Sequence, residues 1–257
     1  MDAMTSPRSG NGMKAWTWVA LACVSMLVGL AAGCRARKPE AALPDAEVVK
    51  RFNQVYFNSG VIQRTTWLGV KLGQNPCDLW AMQEIIYQIK PDVIIETGTW
   101  FGGSALYYAM LLDQLRNSGK VITVDIDTYG DQAAFEFPAF KRNAIFLQGD
   151  SVSPDIIKKI EELIGRDKKV MVTLDSLHTK EHVLKELQLY SRFVSPGSYL
   201  IVQDTNIHGH PVHPNFPEGP MEALMEFLKG HDDFVIDSSR EKLLLTFYPN
   251  GYLKRIK

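Results

Sequence analysis

The stretch Pro91-Asp-Val-Ile-Ile-Glu-Thr-Gly-Thr-Trp-Phe-Gly-Gly-Ser104 constrains the fold of this chain more than any other. Val93 to Ile95 is an apolar β-branched run of the kind that fills a buried parallel strand. It ends in an acid, Glu96, followed by a glycine turn at Gly98. Gly102-Gly103 then opens a helix through Ala105, Leu106, Ala109 and Leu112. Such a strand–turn–helix is the first unit of an open α/β sheet, at the place where those folds bind nucleotide-like ligands. A dinucleotide fingerprint needs a small residue two places after its first glycine, so that the backbone can approach a pyrophosphate. Here that place holds Trp100. The indole argues against a diphosphate and for a nucleoside without phosphates, such as S-adenosylmethionine. The plainer reading of the same residues is a tight packing turn.

The rest of the chain repeats the unit. After a helix begun by Asp45, with Val48, Val49, Phe52 and Val55 on one face, a second helix runs from Pro76 to Ile89 and leads into the first strand. Further strands read at Val121–Ile126, Ile145–Leu147, Val170–Leu174, Tyr199–Val202, Phe234–Ile236 and Leu243–Phe247. Helices fit between them at about 104–117, 153–165, 179–193 and 219–229. The alternation predicts a mostly parallel sheet with helices on both faces, and the last two strands suit an antiparallel hairpin at one edge.

At 257 residues the chain has room for one α/β domain and an N-terminal extension. The boundaries read as 1–34 for a signal or membrane-anchor segment, 35–44 for a linker and 45–257 for the domain. Ala15 to Gly33 carries no charge, with Lys14 before it and Arg35, Arg37 and Lys38 after it. That length suits either a cleaved secretory signal or a spanning helix. Leu30-Ala-Ala-Gly-Cys34 also resembles a lipoprotein cleavage site. The excess of positive charge after the run favours instead an uncleaved anchor facing the cytoplasm. Membrane association is therefore expected, on a side left open. Net charge is −1 without a basic stripe, which gives no footprint for nucleic acid. The three cysteines show neither metal-ligand spacing nor a disulfide framework, and Cys77 reads as a buried thiol at a helix start. A homo-oligomer is compatible with all of this.

Acids recur where the strands stop. Glu96 follows the first, Asp125 and Asp127 the second, Asp150 the third, Asp175 the fourth and Asp204 the fifth. In an open α/β sheet those ends gather along one crevice. There, carboxylates can accept hydrogen bonds from ribose hydroxyls and an adenine amine, or hold a hard cation. Each alone would equally serve as a helix cap or turn residue; the series argues for a ligand crevice. Glu96, Gly98, Gly102, Ser104, Asp125 and Asp150 are the candidate cofactor contacts. Asp175 and Asp204 could share Mg²⁺, with Gln203 beside them. His178 is the candidate general base, because imidazole titrates near neutrality. His182, one helical turn on, suits packing equally well. His208, His210 and His213 form a proline-rich loop that leaves zinc, substrate contact and plain loop structure all open.

On these motifs the chain resembles the cephalosporin hydroxylase, or rhamnosyl O-methyltransferase-like, family. The matching signatures are Glu96-Thr-Gly, Gly102-Gly-Ser, Asp175-Ser-x-His178-Thr-Lys-Glu-His182-Val, Asp204-Thr-Asn, His210-Pro-Val, Gly219-Pro-Met-Glu-Ala and Leu-Thr-Phe-x-Pro-x-Gly-Tyr-Leu within 242–255. The likeness covers roughly residues 50 to 257. The resemblance implies a Rossmann-like class I methyltransferase fold with a seven-stranded sheet. It also implies S-adenosylmethionine at Glu96, Gly98 and Asp125, and a divalent metal after the fourth and fifth strands. Family members often carry Glu-Asp where this chain has Gln203-Asp204, and an amide attracts Mg²⁺ less than a carboxylate does.

The expected activity is O-methylation of a hydroxylated small molecule or sugar, with His178 taking the proton and Asp175 beside it. Two alternatives are a membrane-tethered binding protein of the same fold without catalysis, and a nicotinamide oxidoreductase, which Trp100 disfavours.

Overall fold

The computed structural model describes residues 45–115, 119–128 and 133–257; the expected signal or anchor segment (1–34) and the expected linker (35–44) lie outside them. Helix α1 (Asp45–Asn58) leads through a short hairpin, Thr66–Trp67 with Val70–Lys71, to helix α2 (Pro76–Ile89). Asn75 starts α2 by accepting the Cys77 N–H at 3.1 Å, and Pro76 fills the position where no N–H is needed. Cys77 is half-buried in that first turn.

Strands and helices then alternate: β1 (Val93–Thr97), α3 (Gly103–Gln114), β2 (Lys120–Asp125), two short helices α4 (Ala133–Glu136) and α5 (Pro138–Asn143), β3 (Ala144–Gln148), α6 (Pro154–Ile164) and β4 (Val170–Leu174). After them come α7 (Lys180–Tyr190), β5 (Tyr199–Val202), α8 (Pro220–Phe227), β6 (Phe234–Ile236) and β7 (Tyr252–Arg255). The seven strands lie in the order β3-β2-β1-β4-β5-β7-β6. β1 to β5 are parallel, and β7 runs antiparallel to both of its neighbours.

Alternation of side chains along each strand divides the core between the two faces. Ile94, Val121, Met171 and Ile201 pack with α2 and α3. Val93, Ile95, Ile122, Val172 and Leu200 pack with α6, α7 and α8. The parallel register sets Glu96 opposite Thr123 and Thr173, so the strand ends stop nearly level and their acids line one edge.

Two expectations need correction. Leu243–Phe247 is not a strand; the last strand is Tyr252–Arg255. Leu244 has φ +66°, and the polar groups after it turn to a side chain rather than to a ladder. Asp78 accepts the Thr246 hydroxyl at 2.5 Å, the Phe247 N–H at 2.8 Å and the Tyr252 hydroxyl at 2.9 Å. The stripe Val48, Phe52, Val55 on α1 points outward, each residue about half exposed. The helix instead docks through buried Asn53, whose amide donates to Thr246 O at 2.9 Å, and through Tyr56 and Phe57 against Phe247. Among the described residues no helix is long and apolar enough to cross a membrane.

Candidate active site

The C-terminal edges of β1 to β5 open into a cavity of about 660 Å³. Gly98 makes its central turn. With φ +86°, a Cβ there would fall 1.8 Å from Asp175 O, so only glycine lets β1 approach β4 this closely. Trp100 follows with φ +47°, its N–H donating to Asp125 Oδ2 at 2.8 Å and its indole lying over Gly73 at the cavity wall. The residue that argued against a diphosphate is thus part of the pocket.

Of the expected cofactor contacts, Gly98, Ser104, Asp125 and Asp150 line the cavity, together with Thr99, Ile126 and Ser151. Glu96 and Gly102 do not. Gly102 (φ +78°) shapes the turn that starts α3. Glu96 is fully buried beneath the cavity, hydrogen-bonded by Ser104 and by Thr123 at 2.6 Å, with Oε1 unpartnered. Burial pushes its carboxyl up to about 8, against the opposing pull of those hydrogen bonds. A neutral Glu96 supports the turn from below.

Asp175, His178 and Asp204 converge, with one ligand-type atom from each lying within 4.8 Å of the others. His178 Nε2 stands 3.3 Å from Asp175 Oδ1 and 3.5 Å from Asp204 Oδ2. Burial disfavours the imidazolium, but the hydrogen bond to Asp175 and the charge of Asp204 outweigh it and hold His178 up at about 9. Burial likewise raises the Asp175 carboxyl. Two carboxyl groups and a ring nitrogen at this spacing would suit a divalent cation, which Asp175 and Asp204 would hold through their carboxylate oxygens.

Gln203 is not part of that cluster. It lies on the same sheet face as Ile201 and is buried; its Nε2 donates to Thr173 Oγ1 at 2.7 Å and its Oε1 accepts from the Tyr248 hydroxyl at 2.5 Å. The Tyr248 hydroxyl also contacts Gln74 Oε1, and Gln74 Nε2 donates to Asp175 Oδ2 at 2.8 Å. The amide therefore ends a hydrogen-bonded chain that orients Asp175 from behind. Gln74 carried no signal in the sequence, because its partner is 101 positions away.

The far wall is apolar, built from Phe57, Ile62, Leu72 and Phe247. The three loop histidines do not converge. His210 pairs with Glu222 at 2.6 Å, while His208 and His213 pack against Phe216.

The strand order, with its reversed penultimate strand and acids along one edge, is a Rossmann-like sheet, and the family and relatives that follow make the chain an S-adenosylmethionine-dependent O-methyltransferase. Residues 59–256 match the family model Rhamnosyl O-methyltransferase/CmcI, and the chain belongs to that family. The rhamnosyl O-methyltransferase of Mycobacterium tuberculosis (strain ATCC 25618 / H37Rv) is 36% identical over 217 residues, covering 82% of this chain and 86% of the relative. The rhamnosyl O-methyltransferase of Mycobacterium leprae (strain TN) is 34% identical over 215 residues, covering 82% and 92%. Among solved structures, CmcI with Mg and SAM superposes with a TM-score of 0.56 at 14% identity, covering 100% of this chain and 89% of that one. The O-methyltransferase from Bacillus cereus in complex with SAH gives 0.50 at 15% identity, covering 84% and 94%. These structural likenesses speak for the fold.

Proposed function

We propose that the enzyme methylates a hydroxyl of a sugar or similar small molecule, with His178 as the proton acceptor and a divalent cation held by Asp175 and Asp204. The carrying observation is the place of His178 Nε2, between two carboxyl groups on the wall of the cavity. Asp125 and Asp150, on the cavity wall, would accept from ribose hydroxyls and the adenine amine, while the exposed side chains of Ile126 and Leu177 would offer apolar faces to the base. The acceptor would lie against Phe57, Ile62, Leu72 and Phe247, with its hydroxyl near His178. The hydroxyl oxygen attacks the methyl carbon, the carbon–sulfur pair returns to sulfur, and the proton goes to His178 Nε2. Holding oxygen and methyl aligned supplies much of the acceleration.

His178 works as a base only when neutral. A bound divalent cation would supply positive charge beside the two carboxylates, lowering the His178 pKa and favouring the acceptor's alkoxide. Asp175, oriented by Gln74, and Asp204 would hold it. The relatives named above are rhamnosyl O-methyltransferases, which makes rhamnosylated acceptors the first to assay. We also place the enzyme at a membrane, on the strength of the uncharged run 15–33.

The test is methyl transfer from labelled S-adenosylmethionine to rhamnosylated and other hydroxylated acceptors, with and without Mg²⁺. His178→Gln should lower kcat about 10²–10⁴-fold. In the wild type with chelator, activity should rise with pH toward about 9, where the imidazolium releases its proton, and Mg²⁺ should move that limb to lower pH. Activity indifferent to chelation and to His178→Gln alike would sink the mechanism.

A further inference from the structure

Beneath the nucleoside end of the cavity lies a buried carboxyl group that the mechanism does not use. Glu186, on α7, is fully buried, and its Oε2 has no hydrogen-bond partner. Its Oε1 accepts from the Ser151 hydroxyl at 2.6 Å and from the Ser176 hydroxyl at 2.7 Å. These serines come from different strand ends, Ser151 after β3 and Ser176 after β4, and both line the cavity. His182 lines it as well, with Nε2 3.1 Å from Ser151 Oγ and 3.5 Å from Glu186 Oε1.

A serine hydroxyl has one hydrogen to give. Both hydrogens are directed at Glu186, so Ser151 and Ser176 can offer only lone pairs elsewhere. Ser151 therefore accepts from His182, which fixes the hydrogen of that imidazole on Nε2. The Glu186 hydrogen bond also raises the His182 pKa. Ser176 Oγ keeps its lone pairs for the cavity, and Asp150, one residue before Ser151, adds acceptor oxygens to the same wall. Ser151, Ser176 and Asp150 thus present acceptor oxygens at this end of the cavity, and what fixes the polarity of the two serines is a residue no ligand need touch.

We infer that Glu186 is a positioning residue that sets the hydrogen-bonding polarity of the base subsite, so that Ser151 and Ser176 select a 6-amino purine over a 6-oxo purine. The inference rests on the reading above that the adenosyl group occupies this end. A 6-amino group brings donors to these acceptors. A 6-oxo group brings lone pairs against lone pairs, and a buried mismatch of that kind costs about 1–3 kcal/mol. That corresponds to a preference of roughly 5–150-fold. Replacing the carboxyl by an amide would turn an N–H₂ group toward one serine oxygen and release its hydrogen toward the cavity, which then welcomes a carbonyl.

The test is calorimetric binding of S-adenosylhomocysteine and of its 6-oxo counterpart, S-inosylhomocysteine, to the full-length wild type, Glu186→Gln and Ser176→Ala. The wild type should prefer the 6-amino compound by about 5–150-fold. Glu186→Gln should reduce that ratio at least about fivefold, and Ser176→Ala should reduce it in the same direction. A purely structural role for Glu186 would weaken both ligands together and leave the ratio unmoved. An unchanged ratio in the variants overturns the inference, and Ser176→Ala decides alone if Glu186→Gln does not fold. A wild type that binds neither compound overturns the cofactor reading itself, and this inference with it.

Discussion

Two buried side chains at the strand ends carry opposite lessons about charge. Glu96 holds its proton in the fold up to about pH 8, whereas its ordinary value is 4.5. Between those values the unfolded chain ionises and the folded one does not. Stability from this group is therefore complete below about pH 4.5 and falls as pH rises toward 8. Melting temperature followed across that window should decline, and Glu96→Gln should flatten the decline; a slope unchanged in the variant would assign it to other groups. Gln203 lies one face-sharing strand position beyond Ile201, held by Thr173 and Tyr248. A residue-type argument alone suggests that Gln203→Glu would strengthen a metal site. The structure says otherwise: the new carboxylate would be buried, and it would lose the donor that Thr173 now accepts. We expect a loss of about 1–3 kcal/mol in chemical denaturation and no tighter binding of Mg²⁺ by calorimetry. Tighter binding would show that the side chain turns to the cation.

At the scale of elements, the site depends on how closely β1 and β4 approach. Gly98→Ala would drive a Cβ to 1.8 Å from Asp175 O at a backbone angle that side chains resist. It should destabilise the protein by about 1–3 kcal/mol and, if the cofactor sits over this turn as proposed, weaken S-adenosylhomocysteine binding, because Asp175 and the turn must move apart. Unchanged affinity would mean that the turn is not the cofactor's seat. The parallel strands and their helices were legible because each carries its own apolar period, and β4, β5 and β6 fall where the pattern sets them. The short helices α4 and α5, the Thr66–Lys71 hairpin and β7 were not. The hairpin strands are two residues each and the two helices only one turn or so, too short for a period to register. β7 (Tyr-Leu-Lys-Arg) ends in two charged residues and offers no apolar run. The 243–247 run failed for a different reason. Its leucines and Phe247 imitate a strand, but Asp78, far away in sequence, captures its hydrogen bonds.

For the whole molecule, Asp45–Lys257 forms one compact unit with its own core. A chain starting at Asp45 should therefore remain soluble and bind S-adenosylhomocysteine, while the full-length protein should sediment with membranes; full-length protein recovered unprocessed in the soluble fraction would refute the membrane placement. By itself the sequence determined the class of sheet, the series of acids along its edge, the glycine turn and the family, since each is written in contiguous residues or in their spacing. Only the tertiary structure decided that Glu96 lies beneath the pocket, that the Gln203 side chain is held by Thr173 and Tyr248 rather than by Asp175 and Asp204, that α1 shows Val48 and Val55 outward, and that Glu186 lies under Ser151 and Ser176. Those outcomes depend on which face of a strand or helix meets a partner, and the partners stand 27 positions away for Glu96 and 35 for Glu186. For Asn53 the distance is 193. A hydrogen bond between such residues exists only after the sheet has assembled, and no local pattern records it beforehand.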